Sequence, residues 1–237
     1  MKNNKKGNRR DFLVTALSLG LVTGINAAGL IQPVHALGSV PGRLSKGQSI
    51  YKLSGQVTVD GQPATIKTQI GPDSVVKTGG DSEVIFVVGA DAFVLRSDSE
   101  VEFSASGLLI RGMRIVSGAL LSVFGKREST TQIVTTTATI GIRGTGIYVD
   151  SQPDKTYACT CYGRTHIAAN ANPNVSREIT THYHESPVYI LPSASQQKLI
   201  VPAPVVDHTD SELNLIEALV GRKTPFGSGG YKKGDGY

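Results

Sequence analysis

The sequence predicts an all-β protein, a sandwich or β-roll of many short strands with a C-terminal extension carrying one short helix. Three observations predict it. Tryptophan is absent and aromatics are only 6% of residues, while Val, Ile, Leu and Ala carry the apolar content beside many Thr and 27 Gly. That is a strand-and-turn composition. Apolar residues recur with period two rather than 3.6. Turn signals return at roughly ten-residue spacing, as in sandwiches, barrels and stacked rolls.

Residues 1–36 read as an export leader. Lys2, Lys5 and Lys6 precede Asn8-Arg9-Arg10-Asp11-Phe12-Leu13, and an uncharged run then ends near Val34-His35-Ala36. A basic head, an apolar middle and small residues at a cut site are the parts of a cleavable signal. Paired arginines followed by Phe-Leu resemble the twin-arginine (Tat) signal, which implies export in the folded state to the periplasm. The alternative is an uncleaved membrane anchor, because Phe12 to Ile31 carries no charge and a stretch of about 20 residues can span a bilayer. Gly20, Thr23, Gly24, Asn26 and Gly29 weaken that anchor. Arg9→Lys with Arg10→Lys is expected to leave precursor in the cytoplasm by cell fractionation; unaffected export would defeat the twin-arginine assignment.

The leader also explains the charge. The chain is formally +5, but residues 1–36 hold five basic residues and one acid, so the remainder is only +1. A nucleic-acid partner is not expected, since the mature part has no basic stripe with interleaved aromatics. Long-range electrostatic steering is not expected either.

After a linker over residues 37–54, Val57-Thr58-Val59 runs into Asp60-Gly61, a strong hairpin turn signal. Ala64 to Ile70 resumes the alternation, and Val75 and Val76 follow the Gly71-Pro72-Asp73 turn. Glu83 to Val88 is a compact apolar strand; Phe93, Leu95, Val101 and Phe103 keep period two. Leu108–Ile110, Met113–Val116, Leu120–Phe124, Gln132–Thr136 and Ile147–Val149 are further strands. One helix is expected where Leu213, Ile216, Leu219 and Val220 fall at 3-and-4 spacing before Gly221, capped by Asp210 or Ser211. It packs on the sheet or serves as a partner-binding helix. The glycine-rich stretch Gly227 to Tyr237 reads as a flexible tail. The domain reading is thus a β domain over 55–150, a Cys/His-containing β extension over 151–206, and helix plus tail over 207–237.

From Gly55 to about Tyr162 the chain resembles the FecR family, the periplasmic sensor domain of iron-uptake signalling proteins. The blocks are Gly55-Gln56-Val57-Thr58-Val59-Asp60-Gly61-Gln62-Pro63-Ala64, Val76-Lys77-Thr78-Gly79-Gly80-Asp81-Ser82-Glu83, Ile115-Val116-Ser117-Gly118-Ala119-Leu120 and Val134 to Val149. Their order and spacing carry the resemblance, which implies an all-β fold of short strands. Two departures stand out. FecR regulators carry a cytoplasmic anti-sigma domain and a transmembrane helix ahead of this region, and nothing of that kind is expected here. The middle hairpin turn reads Gly89-Ala90-Asp91-Ala92. Within the last block, Arg143 either faces a ligand or bonds across the sheet while Gly141, Gly144 and Gly146 supply backbone freedom.

The chemistry concentrates in Cys159-Thr160-Cys161 and His182-Tyr183-His184. Residues i and i+2 of a strand share a face, so paired strands could converge two sulfurs and two imidazoles. Cys159, Cys161, His182 and His184 are therefore the candidate metal ligands, a set suited to tetrahedral Zn²⁺ or to copper. His166 lies near the cysteines in sequence, and Asp150, Asp154, Glu178 and Glu185 are candidate outer partners. Two other readings stay open: a redox-active or disulfide-bonded cysteine pair, and an ordinary cysteine pair with sheet-edge histidines. No G-x-S-x-G elbow, P-loop, H-E-x-x-H or dinucleotide motif is present, and no carboxylate pair can be nominated for acid–base work. The functional expectation is an exported non-enzymatic module that binds or senses an envelope protein or ligand. The alternative is a metal-dependent redox or metal-handling protein using the same residues.

Overall fold

A computed structural model describes residues 41–107, 109–127, 129–192 and 198–226. The leader over 1–36 and the tail from Gly227 onward lie outside them. In chain order the strands are β1 (Ile50–Ser54), β2 (Val57–Val59), β3 (Gln62–Pro63), β4 (Val75–Thr78), β5 (Glu83–Val88), β6 (Asp91–Leu95), β7 (Glu100–Ser106) and β8 (Leu109–Val123). There follow β9 (Thr131–Val134), β10 (Ala138–Ile142), β11 (Gly146–Ser151), β12 (Thr156–Ala169), β13 (Asn172–Thr181), β14 (Val188–Ile190), β15 (Ile200–Pro202) and one helix, α1 (Asp210–Leu219). The all-β expectation with a single C-terminal helix holds among the described residues. β1 falls inside the stretch read from sequence as a linker.

The strands form two sheets. One runs β1-β5-β6-β8-β11-β12-β14-β15 and is antiparallel throughout. The other runs β3-β2-β4-β7-β8-β9-β10-β12-β13, with β8 and β9 parallel. The two long strands, β8 and β12, belong to both sheets. β8 pairs with β7 and β9 up to Ser117, and with β11 from Gly118. β12 pairs with β11 up to Tyr162 and with β13 from Gly163. Both crossing points are glycines with positive φ, +76° at Gly118 and +91° at Gly163. A strand that changes sheets needs such a corner, and glycine adopts it without a Cβ penalty.

A repeated corner accounts for part of the short-strand pattern. Asp81-Ser82-Glu83 and Asp98-Ser99-Glu100 share a sequence, and Asp81 and Asp98 share a φ of 52°. In each, the serine Oγ accepts a backbone N–H from a neighbouring segment, from Gln56 between β1 and β2 at 2.9 Å and from Ala119 of β8 at 2.9 Å. Each hydroxyl also donates to a carbonyl two residues back. A Cβ on Gly118 would lie 2.7 Å from Ser99 Cα. Gly118→Ala is therefore expected to cost about 1–3 kcal/mol, read as a lower urea midpoint with unchanged slope; a variant as stable as the parent would refute the corner's strain.

Two apolar cores result. The first lies between the sheets, with Phe86, Phe93, Phe103 and Phe124 at its centre; Phe86 and Phe93 stack at 5.0 Å. The second lies between the outer face of the first sheet and α1, and includes Val94, Leu121, Val123, Leu213, Ile216 and Leu219. Strand alternation divides the residues. On β12, Ala158 enters the first core, while Tyr157, Cys159 and Cys161 enter the second. The helix is capped by Thr209 rather than by Asp210 or Ser211. Thr209 Oγ1 accepts from Glu212 N–H and the Glu212 side chain reaches back to Thr209 N–H, a complete capping box.

Candidate metal centre

The second core brings together Cys159, Cys161, His184 and His208, all buried, with one ligand atom of each within 4.8 Å of every other. Three separate segments supply them. The cysteines sit two residues apart on β12, point to the same face and are fully enclosed. His184 follows the end of β13 in a bend, with φ 48°. His208 immediately precedes the helix cap Thr209.

Of the residues expected from sequence, Cys159, Cys161 and His184 meet. His182 does not; it is exposed, and its backbone N–H donates to Glu185 Oε2 at 3.1 Å. The same-face argument for His182 and His184 requires an extended segment, but β13 ends at Thr181. The chain bends there, so the two imidazoles separate. His166 is exposed on the far half of β12, opposite Glu178. His208 fills the fourth place. Its sequence neighbourhood carries one usable signal, the start of an amphipathic helix. That locates His208 at a helix entrance but does not connect it to β12, since the contact is long-range.

The hydrogen bonds fix the direction of each ring. His184 Nε2 faces Asp210 Oδ1 at 3.2 Å, and His208 Nδ1 faces the Val206 carbonyl at 2.7 Å. Both outer partners are acceptors, so both outer nitrogens donate. The inner nitrogens, His184 Nδ1 and His208 Nε2, then face one another at 3.0 Å, with Cys159 Sγ 3.5 Å from His184 Nδ1. Two imidazole lone pairs this close repel unless a proton or a metal ion sits between them. Asp210, at the first residue of α1, also accepts from Tyr183 Oη at 2.6 Å. A carboxylate behind a histidine and a carbonyl behind the other are the outer partners that orient metal-binding imidazoles. Asp210 takes this part; none of Asp150, Asp154, Glu178 and Glu185 does.

The four side chains polarise one another. The hydrogen bond with Cys161 draws the Cys159 thiol down to about 3, against the opposing effect of burial and with help from His184 and His208. Burial pushes the Cys161 thiol well above its ordinary value, and its neighbour Cys159 adds to this. Burial alone would lower His184, but its bonds to Cys159 and Asp210 outweigh that and raise it. His208 stacks on the Tyr148 ring at 4.8 Å, nearly parallel, and burial pushes the Tyr148 hydroxyl up to about 12. Both cysteines are free thiols.

Donor type and spacing suit one tetrahedral ion. Zinc bound at about 2.0–2.1 Å to nitrogen and about 2.3 Å to sulfur sets its ligand atoms roughly 3.3–3.8 Å apart. The 3.5 Å sulfur–nitrogen contact falls in that range, the 3.0 Å nitrogen–nitrogen contact is shorter, and the four donors spread to at most 4.8 Å, so a small adjustment brings them onto one ion. A two-iron cluster with this ligand set holds the cysteines and histidines on different irons, which the mutual contact of His184 and Cys159 does not allow. If Asp210 orients His184 as a ligand, Asp210→Asn is expected to weaken metal affinity about 10–100-fold, measured by chelator competition at constant pH. An unchanged affinity would remove Asp210 from the site.

No protein-family model matches the chain, and no curated protein matches it in sequence. Among solved structures, it is similar to two crystal structures, at 1.65 and 2.50 Å, of a candidate anti-sigma factor from Parabacteroides distasonis. Identity is 9% and 7%, the TM-score is 0.45 for both, and the match covers 54% of this chain and 58% of that one. The chain thus spans less than two thirds of that protein.

Proposed function

We propose that this chain is an exported, non-enzymatic binding or sensing module of the FecR type, braced by one structural zinc ion at Cys159, Cys161, His184 and His208. The module engages an envelope protein or ligand through its sheet surface or its helix. The observation that carries the zinc reading is the inward-facing pair of imidazole lone pairs beside Cys159, with both outer nitrogens held by acceptors. Four protein donors close the shell, which is the pattern of a structural rather than a catalytic ion. The ion ties β12, the turn after β13 and the entrance to α1 into one unit. Copper is less well served: blue-copper sites add a long axial ligand such as Met, and Met113 lies in the other core.

Folded export gives this reading its logic. Free thiols in an oxidising compartment become disulfides, and metal loaded before transit protects them. A disulfide between residues i and i+2 of an extended strand must close a Cα separation of about 6.6 Å, at the upper limit of disulfide geometry. A second reading, a reactive thiolate for redox or metal handling, is favoured by the depressed Cys159 thiol; the complete enclosure of both sulfurs opposes it. Metal analysis of protein purified after native export tests the proposal. One zinc per chain without turnover supports it, and bound copper or a redox-active metal favours the second reading. No metal, together with a quantitative Cys159–Cys161 disulfide, overturns the zinc proposal and the metal part of the second reading, leaving a redox-active cysteine pair.

A further inference from the structure

A separate cleft of about 380 Å³ opens where the C-terminal end of α1 meets the β12–β13 hairpin and the segment after β8. Its charged lining is one-sided. Lys126, Arg222 and Lys223 face it, with His182, against the single acid Glu217. Glu217 is already engaged: it is 3% exposed, accepts from Tyr162 Oη, and accepts from Arg222 Nε at 2.6 Å. One guanidinium therefore matches the one carboxylate of the lining, and among the described residues neither lysine has an ion-pair partner. Arg222 Nη1 donates to the Ala90 carbonyl at 2.5 Å, while Nη2 is buried with no partner among the described residues. That nitrogen is enclosed and does not open onto the cleft, so the cations exposed there are the two lysines. Phe124, Pro225 and the Tyr162 ring give the cleft an apolar wall. Apolar walls with a few converging charges are the make-up of small-molecule sites.

The geometry points to a binding site for a small organic anion: an apolar body bearing one carboxylate or phosphate. The charged group meets Lys126 and Lys223 at the mouth, and the body lies against Phe124 and Tyr162. The rigid Tyr162–Glu217–Arg222 triad forms the floor and fixes the position of the guanidinium. The site makes no use of the Cys/His group and stands whether or not a metal is bound there.

Calorimetric titration of the natively exported protein tests this, with phenyl phosphate, inorganic phosphate and benzyl alcohol as probes and zinc content measured on the same sample. Phenyl phosphate is expected to bind saturably, one per chain, about tenfold tighter than inorganic phosphate; benzyl alcohol is expected not to bind detectably. Binding should weaken as salt is raised. Lys126→Ala with Lys223→Ala should lower phenyl phosphate affinity at least about tenfold while leaving thermal unfolding unchanged, both lysines being exposed. Absence of saturable binding, or equal binding by the double variant, overturns the inference. So does binding to phosphatidylglycerol vesicles without binding of phenyl phosphate, which would place the anion attraction on the surface. Anion binding by a zinc-free sample sinks the metal proposal alone.

Discussion

On the proposed zinc site, Cys159→Ser is expected to release the ion and to unlock the second core. Serine is a poor zinc ligand, and the remaining three donors lose the anionic sulfur that draws His184 and His208 inward. An ion present at a thousandfold excess over its dissociation constant contributes about 4 kcal/mol. For a domain of this size that is a fall in Tm of roughly 8–16 °C. EDTA should reproduce the fall in the parent protein and have no effect on Cys159→Ser. Acid should do the same. Binding displaces the proton of Cys161, whose thiol is raised, and the proton of His184, which is also raised. Both directions mean that affinity drops as pH falls, by up to about a hundredfold per pH unit while both protons compete. Equal Tm for parent and variant, with or without EDTA, would remove the ion from the account of stability.

The second large effect is expected at Arg127. Its guanidinium reaches both oxygens of Asp91, at 2.5 and 2.6 Å, and Asp91 is 2% exposed. It also donates to the Ile110 carbonyl and to Thr131, so one side chain ties β6, β8 and β9. Arg127→Met leaves the buried carboxylate with the Gly125 N–H as its one hydrogen-bond donor among the described residues and the more distant Arg222 charge, and breaking a buried pair in this way costs about 3–5 kcal/mol. The pH dependence has a definite sign. Burial already raises Asp91, while Arg127 and Gly125 hold it down. A carboxyl raised by folding binds its proton more tightly in the native state, so its ionisation opposes folding as pH rises past the ordinary carboxylate range. Removing Arg127 raises Asp91 further and widens that window. The deficit of Arg127→Met should therefore be largest at neutral pH and smaller near about pH 5 in urea unfolding. A deficit below about 1 kcal/mol, or one that grows on acidification, would contradict the pair's role.

These two sites differ in how far the sequence foretells them. The compact apolar run Glu83–Val88 matches β5 to the residue, and Asp60-Gly61 turns with both φ values positive, as a tight hairpin requires. The cysteine pair on one strand face was equally legible, because that spacing is local. The histidines were not. His182 shares a motif with His184, but a bend after Thr181 outweighs the spacing. His208 lies 47 residues beyond Cys161 in the chain and arrives through the docking of α1, a tertiary contact that no local pattern encodes. Asp91 and Arg127 illustrate the same limit: each is an ordinary turn charge until two strands bring them together.

The two strands shared between the sheets also bear on how the chain is made. β8 and β12 are interior members of both sheets, so neither sheet is complete until synthesis has passed Ala169. A nascent chain ending near residue 150 would present β11 as a bare hydrogen-bonding edge along a half-built layer. Neither sheet can close over the first core before β12 is present. A fragment that stops before β12 is therefore expected to lack a closed core, because each sheet would miss an interior strand.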